Sequence, residues 1–432
     1  MEINVIGGGL AGCEAAHRLA EAGVRVKLFE QKPLKRSPAH HSDSLCELVC
    51  SNSLKSRDPA TGSGLLKEEM RLLGSLVLEV AEQCSVPAGG ALAVNREDFS
   101  REVTRRMMQD GRIELIPGEV TEIPDGITVI CTGPLTEGKL YHELCRITGE
   151  GLHFYDAAAP IVTGDSVDRN AAFAESRYGK GEGDYLNCPM NREEYEAFYR
   201  ALVSAESVVL KEFEKREIFE GCMPIEVMAK RGEDTIRFGP LRPVGLRDPR
   251  TEQRPYAVVQ LRREDAAGTL YNLVGFQTNL LFSEQKRVFS MIPALKNAQF
   301  VKYGVMHRNS YLNSPRVLNA HLQLRQQPRL FVGGQLCGVE GYMESAASGL
   351  LAAENALRFA QGRALYLPPE TTVTGSLMRY ISDPERQNFQ PMNANFGILP
   401  PLPEHIRDKA VKKQRLSERA LHELGVSLAQ QK

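Results

Sequence analysis

The chain has 432 residues, of which 25% are charged and 42% hydrophobic, a composition typical of an ordinary soluble protein. Its formal net charge is −1, so any binding of nucleic acid must depend on local basic patches. No apolar run approaches the ~20 residues that span a bilayer, and the nine scattered cysteines predict a reduced, cytoplasmic protein. Met1 leads almost directly into a predicted strand, so we expect no signal peptide.

The first predicted elements are a strand, a glycine-rich turn, a helix and a second strand. Glu2–Ile6 is a short apolar strand, and the sequence Gly-Gly-Gly-Leu-Ala-Gly follows it directly. Helical periodicity then continues to Gly23, which predicts a helix that ends there. Val24–Phe29 is the second strand, and the Glu30 behind it is predicted to accept hydrogen bonds from ribose hydroxyls. This spacing is typical of a dinucleotide-binding unit.

Each glycine of the turn has its own task in such a unit. Gly7 permits the tight turn, Gly9 lets the backbone approach a pyrophosphate, and Gly12 lets the helix pack against the strand. The start of the helix, at Leu10 and Ala11, offers N–H groups and a positive dipole end to phosphates. A glycine-rich turn that binds nothing is the weaker alternative, because strand, turn, helix and acid occur together.

The next part of the chain is less regular. Residues 31–64 are polar and irregular, and the length of this segment predicts a functional loop. Helices are predicted over Leu65–Val80 and Arg96–Met108, and a buried strand over Ile127–Ile130. From about residue 158 the pattern changes, and the elements predicted there are a helix over Arg192–Ala205 and strands over Ala257–Leu261 and Leu270–Phe276.

A late unit indicates that the first domain resumes. Leu330–Val332 is again a buried strand, followed by two glycines and a helix over Tyr342–Ala360. Residues 375–403 are rich in Pro, Asn and Phe and are predicted to wrap the body, whereas 404–427 are predicted as a charged helix. The predicted domains are the first part of the nucleotide-binding domain (1–157), an inserted RNA- or substrate-binding domain (158–325), the second part (326–374) and a C-terminal segment (375–432).

The number of fingerprints favours FAD over NAD as the resident cofactor. The chain has only one glycine fingerprint, and its late strand–glycine–helix unit is of the kind with which two-halved FAD proteins hold the ribityl chain and flavin ring. NADPH or NADH is then predicted to visit the flavin only briefly. The fold class is predicted as α/β, with a two-halved, Rossmann-like FAD-binding domain and an inserted α+β domain.

One cysteine of the long loop is a candidate for chemistry. Cys50 has polar residues after it and lies where this fold reaches toward the flavin ring, so we expect a reactive thiol. His40, His41 and Cys46 lie nearby, which makes a zinc site an alternative. Adjacent histidines seldom bind one ion, and the spacing matches no common zinc motif, so no metal is expected. For Cys46, simple burial is a strong competitor to reactivity.

A second candidate is Cys222. Pro224 suggests the first turn of a helix, and a thiol beside a helix N-terminus tends to ionise more easily. Chemistry and packing have equal weight for this residue. Packing is the default for the remaining cysteines, which are Cys13, Cys84, Cys131, Cys145, Cys188 and Cys337.

Two stretches of the chain are locally basic. Residues 230–263 contain nine Lys or Arg and four acidic residues, and residues 405–420 contain six and two. Either stretch could follow a phosphate backbone, whereas the alternative is a solvated charged face. The two readings are balanced for the first stretch, and the solvated face is favoured for the second.

Seven strings of sequence carry a family resemblance. They are Gly7–Gly12, Pro38–His40, Cys50–Leu54, Pro87–Val94, Asp184–Met190, Gly304–Asn309 and Gly338–Ala346. Over nearly its whole length the chain resembles the TrmFO family, the folate- and FAD-dependent tRNA methyltransferases that make 5-methyluridine in the T loop.

The resemblance implies a mechanism. The one-carbon unit of methylenetetrahydrofolate passes to flavin N5, and one of Cys50 and Cys222 adds to C6 of uracil so that C5 can attack the methylene. Reduced FAD supplies the hydride that completes the methyl group, and NADPH or NADH re-reduces the flavin. Tyr342 lies near the folate. The uridine must leave the stacked T arm of the tRNA to reach the flavin.

The resemblance also implies a set of cofactor contacts. They come from Ser51, Asn52, Thr132, Gly133, Gly333, Gly334, Gln335, Glu340, Gly341 and Tyr342. Many two-halved FAD proteins have Gly-Asp where this chain has Gly334-Gln335, which puts an acidic contact to the ribityl chain in doubt. The oligomeric state is not fixed by the sequence, although homologues of this shape favour a monomer.

Other enzymes and a binding protein stay open as alternatives. A related enzyme with the same chemistry on ribosomal RNA would have similar cysteine contexts. The wobble-uridine modification flavoprotein, which works with a GTPase, is a longer chain. An RNA-binding flavoprotein without methyl transfer would not need Cys50 or Cys222. An NAD(P)H–flavin oxidase would turn over without RNA or folate.

Overall fold

The computed structural model describes residues 1–37, 39–149, 152–157, 159–179, 183–208, 223–265, 267–304, 306–386 and 389–431. The strands are β1 Glu2–Ile6, β2 Arg25–Glu30, β3 Ser53–Ser56, β4 Ser85–Val86, β5 Ala91–Val94, β6 Ile113–Pro117, β7 Thr128–Ile130, β8 Leu152–Ala157, β9 Ile161–Thr163, β10 Phe173–Ala174, β11 Tyr185–Met190, β12 Ala257–Arg263, β13 Leu270–Leu273, β14 Phe300–Lys302, β15 Met306–Tyr311 and β16 Leu330–Val332.

The helices alternate with these strands in the first part of the chain and dominate its end. They are α1 Leu10–Glu21, α2 Gly62–Leu72, α3 Leu76–Gln83, α4 Arg96–Gln109, α5 Gly138–Thr148, α6 Arg192–Ser204, α7 Ile225–Ala229, α8 Glu233–Phe238, α9 Phe282–Phe289, α10 Ser314–Val317, α11 Tyr342–Ala360, α12 Val373–Ser382 and α13 Lys409–Ala429. None of the helices in the described part of the chain is long and apolar enough to cross a membrane.

A five-stranded parallel sheet forms the first region, in the order β16-β7-β1-β2-β6. Its central strands are mostly apolar and, apart from Glu2, buried, as expected for a parallel sheet covered on both faces. The late strand β16 pairs with β7, so the chain does return to the first sheet as predicted. The carboxyl ends of β1, β7 and β16 therefore meet at one edge, where ligands of such sheets bind.

Helices α1 and α11 lie against each other beside this sheet. A Cβ on Gly349 would come within 2.1 Å of the Ala11 carbonyl oxygen, so the two helices approach at backbone distance. Arg18 of α1 and Glu354 of α11 form an ion pair of 2.9 Å. The close approach fixes the start of both helices at the same edge of the sheet.

The second region is an antiparallel sheet in the order β10-β11-β12-β13-β9-β14, with its own buried core. Phe198, Phe276 and Phe289 are fully buried in that core and contact one another through their rings. A two-stranded ribbon, β8 with β15, pairs Leu152 with Tyr311 at one end and Ala157 with Met306 at the other. The predicted domain limits near 157, 325 and 374 stay predictions.

Two predicted elements differ from the structure. The single helix predicted over Leu65–Val80 is wrong, because the chain forms α2 and α3 with a break between them. Gly74 has φ of +77°, and the Ser75 hydroxyl accepts a hydrogen bond from Leu78 N–H to begin α3. The segment 375–403, predicted to wrap the body with no helix assigned to it, includes most of helix α12, which Thr372 caps in the same way.

Candidate active site

A cavity of about 450 Å³ opens at the carboxyl edge of the parallel sheet. Its walls come from the glycine turn after β1, the loop after β7, the turn after β16 and the cysteine segment, which we define as residues 48–53. Most of the predicted cofactor contacts line it, namely Gly7, Gly9, Leu10, Ala11, Glu30, Ser51, Thr132, Gly133, Gly334, Gln335, Glu340, Gly341 and Tyr342. Gly12, Asn52 and Gly333 do not line the cavity and support its walls from behind.

The glycine turn has the shape that a pyrophosphate requires. Gly7 has φ of +100°, and a Cβ there would lie 2.4 Å from the Cys131 carbonyl oxygen. A Cβ on Gly12 would lie 1.7 Å from the Gly7 carbonyl oxygen, whereas one on Gly9 would meet no atom within 4 Å. Gly9 therefore leaves open the space that a ligand would fill. No side chain caps α1, and its first turn has no acidic residue, so its N–H groups suit an anion.

Glu30 shapes the same turn. Its carboxylate accepts hydrogen bonds from the backbone N–H of Gly8 at 2.7 Å and of Lys32 at 2.9 Å. The side chain still borders the cavity, so its predicted contact to ribose stays a prediction.

The turns after β7 and β16 complete the cofactor side of the cavity. Thr132 and Thr136 join their hydroxyls at 2.7 Å, and Gly334 donates its N–H to the Ser348 hydroxyl at 2.7 Å. The Gln335 side-chain amide donates to a Glu340 carboxylate oxygen at 2.6 Å. The carboxylate that the glycine–aspartate pair usually supplies is absent at 335, but Glu340 brings one to the same wall. These donors, carboxylates and glycines fit a bound FAD.

Cys50 and Tyr342 meet at the cavity wall. The Cys50 Sγ and Tyr342 Oη atoms are 2.9 Å apart, and the phenol oxygen also accepts the backbone N–H of Cys50 at 2.9 Å and of Ser51 at 3.3 Å. Burial raises the pKa of Tyr342 well above its usual value, so the phenol stays protonated. Tyr342, predicted as a folate neighbour, is thus also the hydrogen-bond partner of the Cys50 thiol.

Cationic side chains hold the cysteine segment from outside the cavity. Arg96 donates to Leu48 O at 2.9 Å, and Lys302 donates to Val49 O at 2.9 Å. Arg262 donates to the Ser51 hydroxyl at 2.7 Å and to the Asn52 side-chain oxygen at 2.9 Å. The sequence analysis missed Arg96 and Lys302, because no local pattern relates them to a loop that lies far away in sequence.

The basic stretch 230–263 does not lie wholly at the surface. Arg262 is buried, with 7% of its surface exposed, so counting it as part of a basic face was wrong. Arg237 packs its guanidinium 3.9 Å from the centre of the Tyr256 ring. The exposed members are Lys230, Arg231, Arg242, Arg247, Arg250 and Arg254. In the second stretch, residues 409–415 of α13 are all exposed.

Cys222 lies outside the described residues. The segment after it begins at Met223, and Ile225 donates its N–H to Gln277 O at 2.7 Å. Gln277 lines the cavity, so this segment is fastened to the wall from the second region. Pro224 is the N-cap residue of the five-residue helix α7, one position earlier than predicted.

The remaining candidates near the loop are Cys46 and the two histidines. Cys46 is fully buried, and burial raises the pKa of its thiol well above the usual value. His40 Nδ1 lies 2.6 Å from the Ser37 hydroxyl, and burial lowers the pKa of its ring. Within the described parts of the chain, no group of three or more His, Cys, Asp or Glu could hold a metal ion. Cys13, Cys131, Cys188 and Cys337 are buried as predicted, and Cys84 and Cys145 partly so.

Comparisons with known proteins point in one direction. The family model described as "Glucose inhibited division protein A" matches residues 2–364. The chain is 57% identical over 421 residues to the methylenetetrahydrofolate–tRNA-(uracil-5-)-methyltransferase TrmFO of Brevibacillus brevis, covering 97% of this chain and 96% of that protein. It is 56% identical to the enzyme of the same name from Acetivibrio thermocellus, with 97% of both chains covered.

The fold is also similar to a solved structure. The GidA protein of Aquifex aeolicus, in its form II crystal, matches with a TM-score of 0.69 and 15% identity. The match covers 99% of this chain and 75% of that chain. At this identity the likeness concerns the fold alone.

Proposed function

The chain belongs to the TrmFO family of methylenetetrahydrofolate–tRNA-(uracil-5-)-methyltransferases, and we infer from this premise that it methylates C5 of a uridine in tRNA. FAD and a folate are its cofactors. The observation that carries the proposal is the Cys50 thiol, presented at the wall of a cavity whose other wall fits a dinucleotide. Neither a ribosomal RNA substrate nor a wobble uridine is favoured by these relatives.

The first proposed task of the chain is to hold the cofactors. We assign the pyrophosphate of FAD to the turn at Gly7–Ala11, a ribose to Glu30, and the ribityl side to Gly334 and Gln335. When bound, FAD and the folate together supply the one-carbon unit and the electrons of the reaction. NADPH or NADH is proposed as the source of those electrons, because the chain has only one dinucleotide fingerprint and a transient visitor needs none.

The second proposed task is to activate the pyrimidine. A thiolate, from Cys50 or Cys222, adds to C6 of uracil, and the electron pair of the C5–C6 bond moves to C5, which becomes a nucleophile. After the new carbon–carbon bond forms at C5, the C5 proton leaves and the thiolate is expelled from C6. The Tyr342 hydroxyl is hydrogen-bonded to the Cys50 sulfur and is therefore placed to orient that thiol during both steps.

The third proposed task is to bind the RNA. A T-loop uridine is stacked in free tRNA, so it must be extruded to enter the cavity. The six exposed Lys and Arg residues between 230 and 254 are proposed to contact the phosphate backbone, since they concentrate positive charge on a nearly neutral protein. Phe238 is 64% exposed beside Arg237 and offers an aromatic face to a base.

The decisive experiment follows the methylene carbon. The holoenzyme is incubated with NADPH, methylenetetrahydrofolate labelled in its methylene carbon, and either unmodified tRNA or an unmodified ribosomal RNA domain. We expect labelled 5-methyluridine in the T loop of the tRNA alone. Of Cys50→Ala and Cys222→Ala, the substitution that removes the thiol adding to C6 should lower the rate by on the order of 10³-fold or more, because covalent activation is lost.

Cys84→Ala is the matched control, since this partly exposed thiol does not line the cavity and its loss should leave the rate unchanged. Label only in ribosomal RNA would show that the substrate is ribosomal RNA and not tRNA. No label in either RNA, with FAD bound and NADPH still consumed, would contradict methyl transfer itself.

A further inference from the structure

The cysteine segment is built by one region and fastened by the other. Residues 48–53 follow the first β–α–β unit, yet two of the side chains that hold them, Arg262 and Lys302, lie on strands β12 and β14 of the antiparallel sheet. The Asn52 side chain in turn donates to Arg263 O at 2.9 Å. Four hydrogen bonds thus connect the second region to the residues on either side of Cys50.

The cations around Cys50 are not neutralised by carboxylates alone. Arg96 forms an ion pair with the buried Glu264, through Nε and Nη2. For Arg262 and Lys302, the described part of the chain supplies uncharged acceptors and no ion pair. Glu47, the nearest acid on the same loop, is already paired with Lys32 at 3.5 Å. Among the side chains that the structure describes, three cations thus accompany one paired carboxylate, an excess of two positive charges around the Cys50 segment.

This excess of charge is costly unless an anion accompanies it. Burial lowers the pKa of both Arg262 and Lys302, and the charge of Arg96 lowers each further, whereas the carboxylate of Glu264 acts in the opposite direction. A negative charge on Cys50 raises the pKa of Arg96, Arg262 and Lys302 and so favours their charged forms. Tyr342, beside Cys50, and Tyr185, near Arg262, stay neutral because burial raises the pKa of each.

We propose that Arg262 and Lys302 are positioning residues that fix the Cys50 segment against the cavity and stabilise the thiolate form of Cys50. The inference rests on the proposed function only in taking Cys50 as a thiol of the active site. On this proposal, Cys50 of the first region is reactive because Arg262 and Lys302 of the second region stabilise its thiolate. Neither cation needs to touch substrate or cofactor.

Alkylation of Cys50 tests this directly, without RNA or folate. The FAD-loaded enzyme is treated with iodoacetamide between pH 5 and 9, and the modified Cys50 peptide is quantified by mass spectrometry. In Arg262→Gln and Lys302→Gln the midpoint of the pH profile should rise by about one unit, so labelling at pH 7 should fall by roughly tenfold. At high pH the variants should label at least as fast as the wild type, because a more basic thiolate is the better nucleophile.

Two kinds of control variant distinguish the effect of a lost charge near Cys50 from a general effect on the fold. Arg262→Lys and Lys302→Arg keep the positive charge, so they should keep the wild-type midpoint. Arg200→Gln and Lys296→Gln remove exposed charges elsewhere in the second region and should change nothing. Cys84, in the same samples, serves as the internal reference thiol. Because the readout is alkylation, a failure of methyl transfer would leave it unaffected.

Two results would overturn the proposal. One is an unchanged Cys50 profile in both glutamine variants, which would make the two cations purely structural. The other is a wild-type Cys50 that labels no faster at pH 7 than Cys84, which would show that the thiol is not activated at all. If Arg262→Gln loses FAD or unfolds, Lys302→Gln and the two conservative variants decide between the same outcomes.

Discussion

Two walls of the same cavity are stabilised in different ways. The glycine turn is held by close steric contact with backbone atoms, because Gly12 packs against Gly7 of the same turn and Gly7 packs against Cys131 after β7, whereas Gly9 borders open space. The cysteine segment has no such internal order and depends on side chains at positions 96, 262, 302 and 342. The first wall is therefore limited by steric fit, and the second by polar contacts from distant parts of the chain.

The difference predicts different consequences of substitution. A wall that is limited by steric fit should lose folding stability when one carbon atom is added where there is no space for it. A wall assembled from distant hydrogen bonds should keep the fold, with smaller losses that appear in reactivity. Three substitutions, the first with a matched control, test this distinction in order of decreasing effect.

Gly12→Ala should have the largest effect. The new Cβ would lie 1.7 Å from the Gly7 carbonyl oxygen, and neither the strand nor the helix can move away without disturbing the core. We expect a loss of about 3 kcal/mol or more in the free energy of unfolding, measured by urea denaturation, with loss of bound FAD.

Gly9→Ala is the matched control for that substitution, because its Cβ would meet no protein atom. It should leave the stability of the FAD-free protein unchanged and weaken FAD binding by about tenfold. Equal destabilisation by the two alanines would show that the turn is not limited by steric fit.

Glu14 connects the helix of the first wall to a distant part of the chain. Its buried carboxylate, on α1, accepts hydrogen bonds from Leu76 N–H, Val77 N–H and the Ser75 hydroxyl, more than 60 residues away. Burial raises its pKa from 4.5 to about 7. A raised folded-state pKa means that its contribution to stability is present below about pH 4.5 and is lost as the pH rises through 7.

We expect this group to lower the free energy of unfolding by about 2 kcal/mol between pH 5 and 8. Urea denaturation of the wild type and of Glu14→Gln across this range gives the contribution as the difference in slope. Glu69, whose pKa burial also raises to about 7, is present in both proteins and cancels. Parallel slopes would contradict the prediction.

Tyr342→Phe should have the smallest effect on stability. It removes the acceptor of Cys50 N–H and Ser51 N–H and the partner of the Cys50 sulfur, while the ring keeps its place at the start of α11. We expect a loss of about 1 kcal/mol in the free energy of unfolding with full FAD content. Methyl transfer should be slower. Loss of FAD from this variant would mean that the two walls are not separable.

The sequence predicts the first wall well and the second one poorly, for the same reason. Periodicity and glycine spacing are local signals, so strand β1, helix α1 and the return at β16 are found where predicted. Cys50 was identified from its context, and its family resemblance supplied its role. The hydrogen bonds from Arg96, Arg262 and Lys302 to the cysteine segment join residues up to about 250 positions apart, and no pattern in one sequence predicts such a contact.

The wrong predictions also have physical causes. Helical periodicity continues across Gly74, so α2 and α3 were predicted as one helix although the left-handed glycine ends the first. Arg262 was predicted to be at the surface from its charge alone, whereas it lies on β12, a buried inner strand of the second sheet. Charge alone does not distinguish a solvated arginine from one that holds a loop.

The ribbon of β8 and β15 has a consequence for how the protein is made. Its two strands carry the chain out to the antiparallel sheet and back, so the sheet is synthesised between two parts of the first region. Strand β16 and helix α11 leave the ribosome only after about 330 residues. We expect the antiparallel region to fold first during translation, leaving the FAD site to close last and flavin to bind only near the end of synthesis.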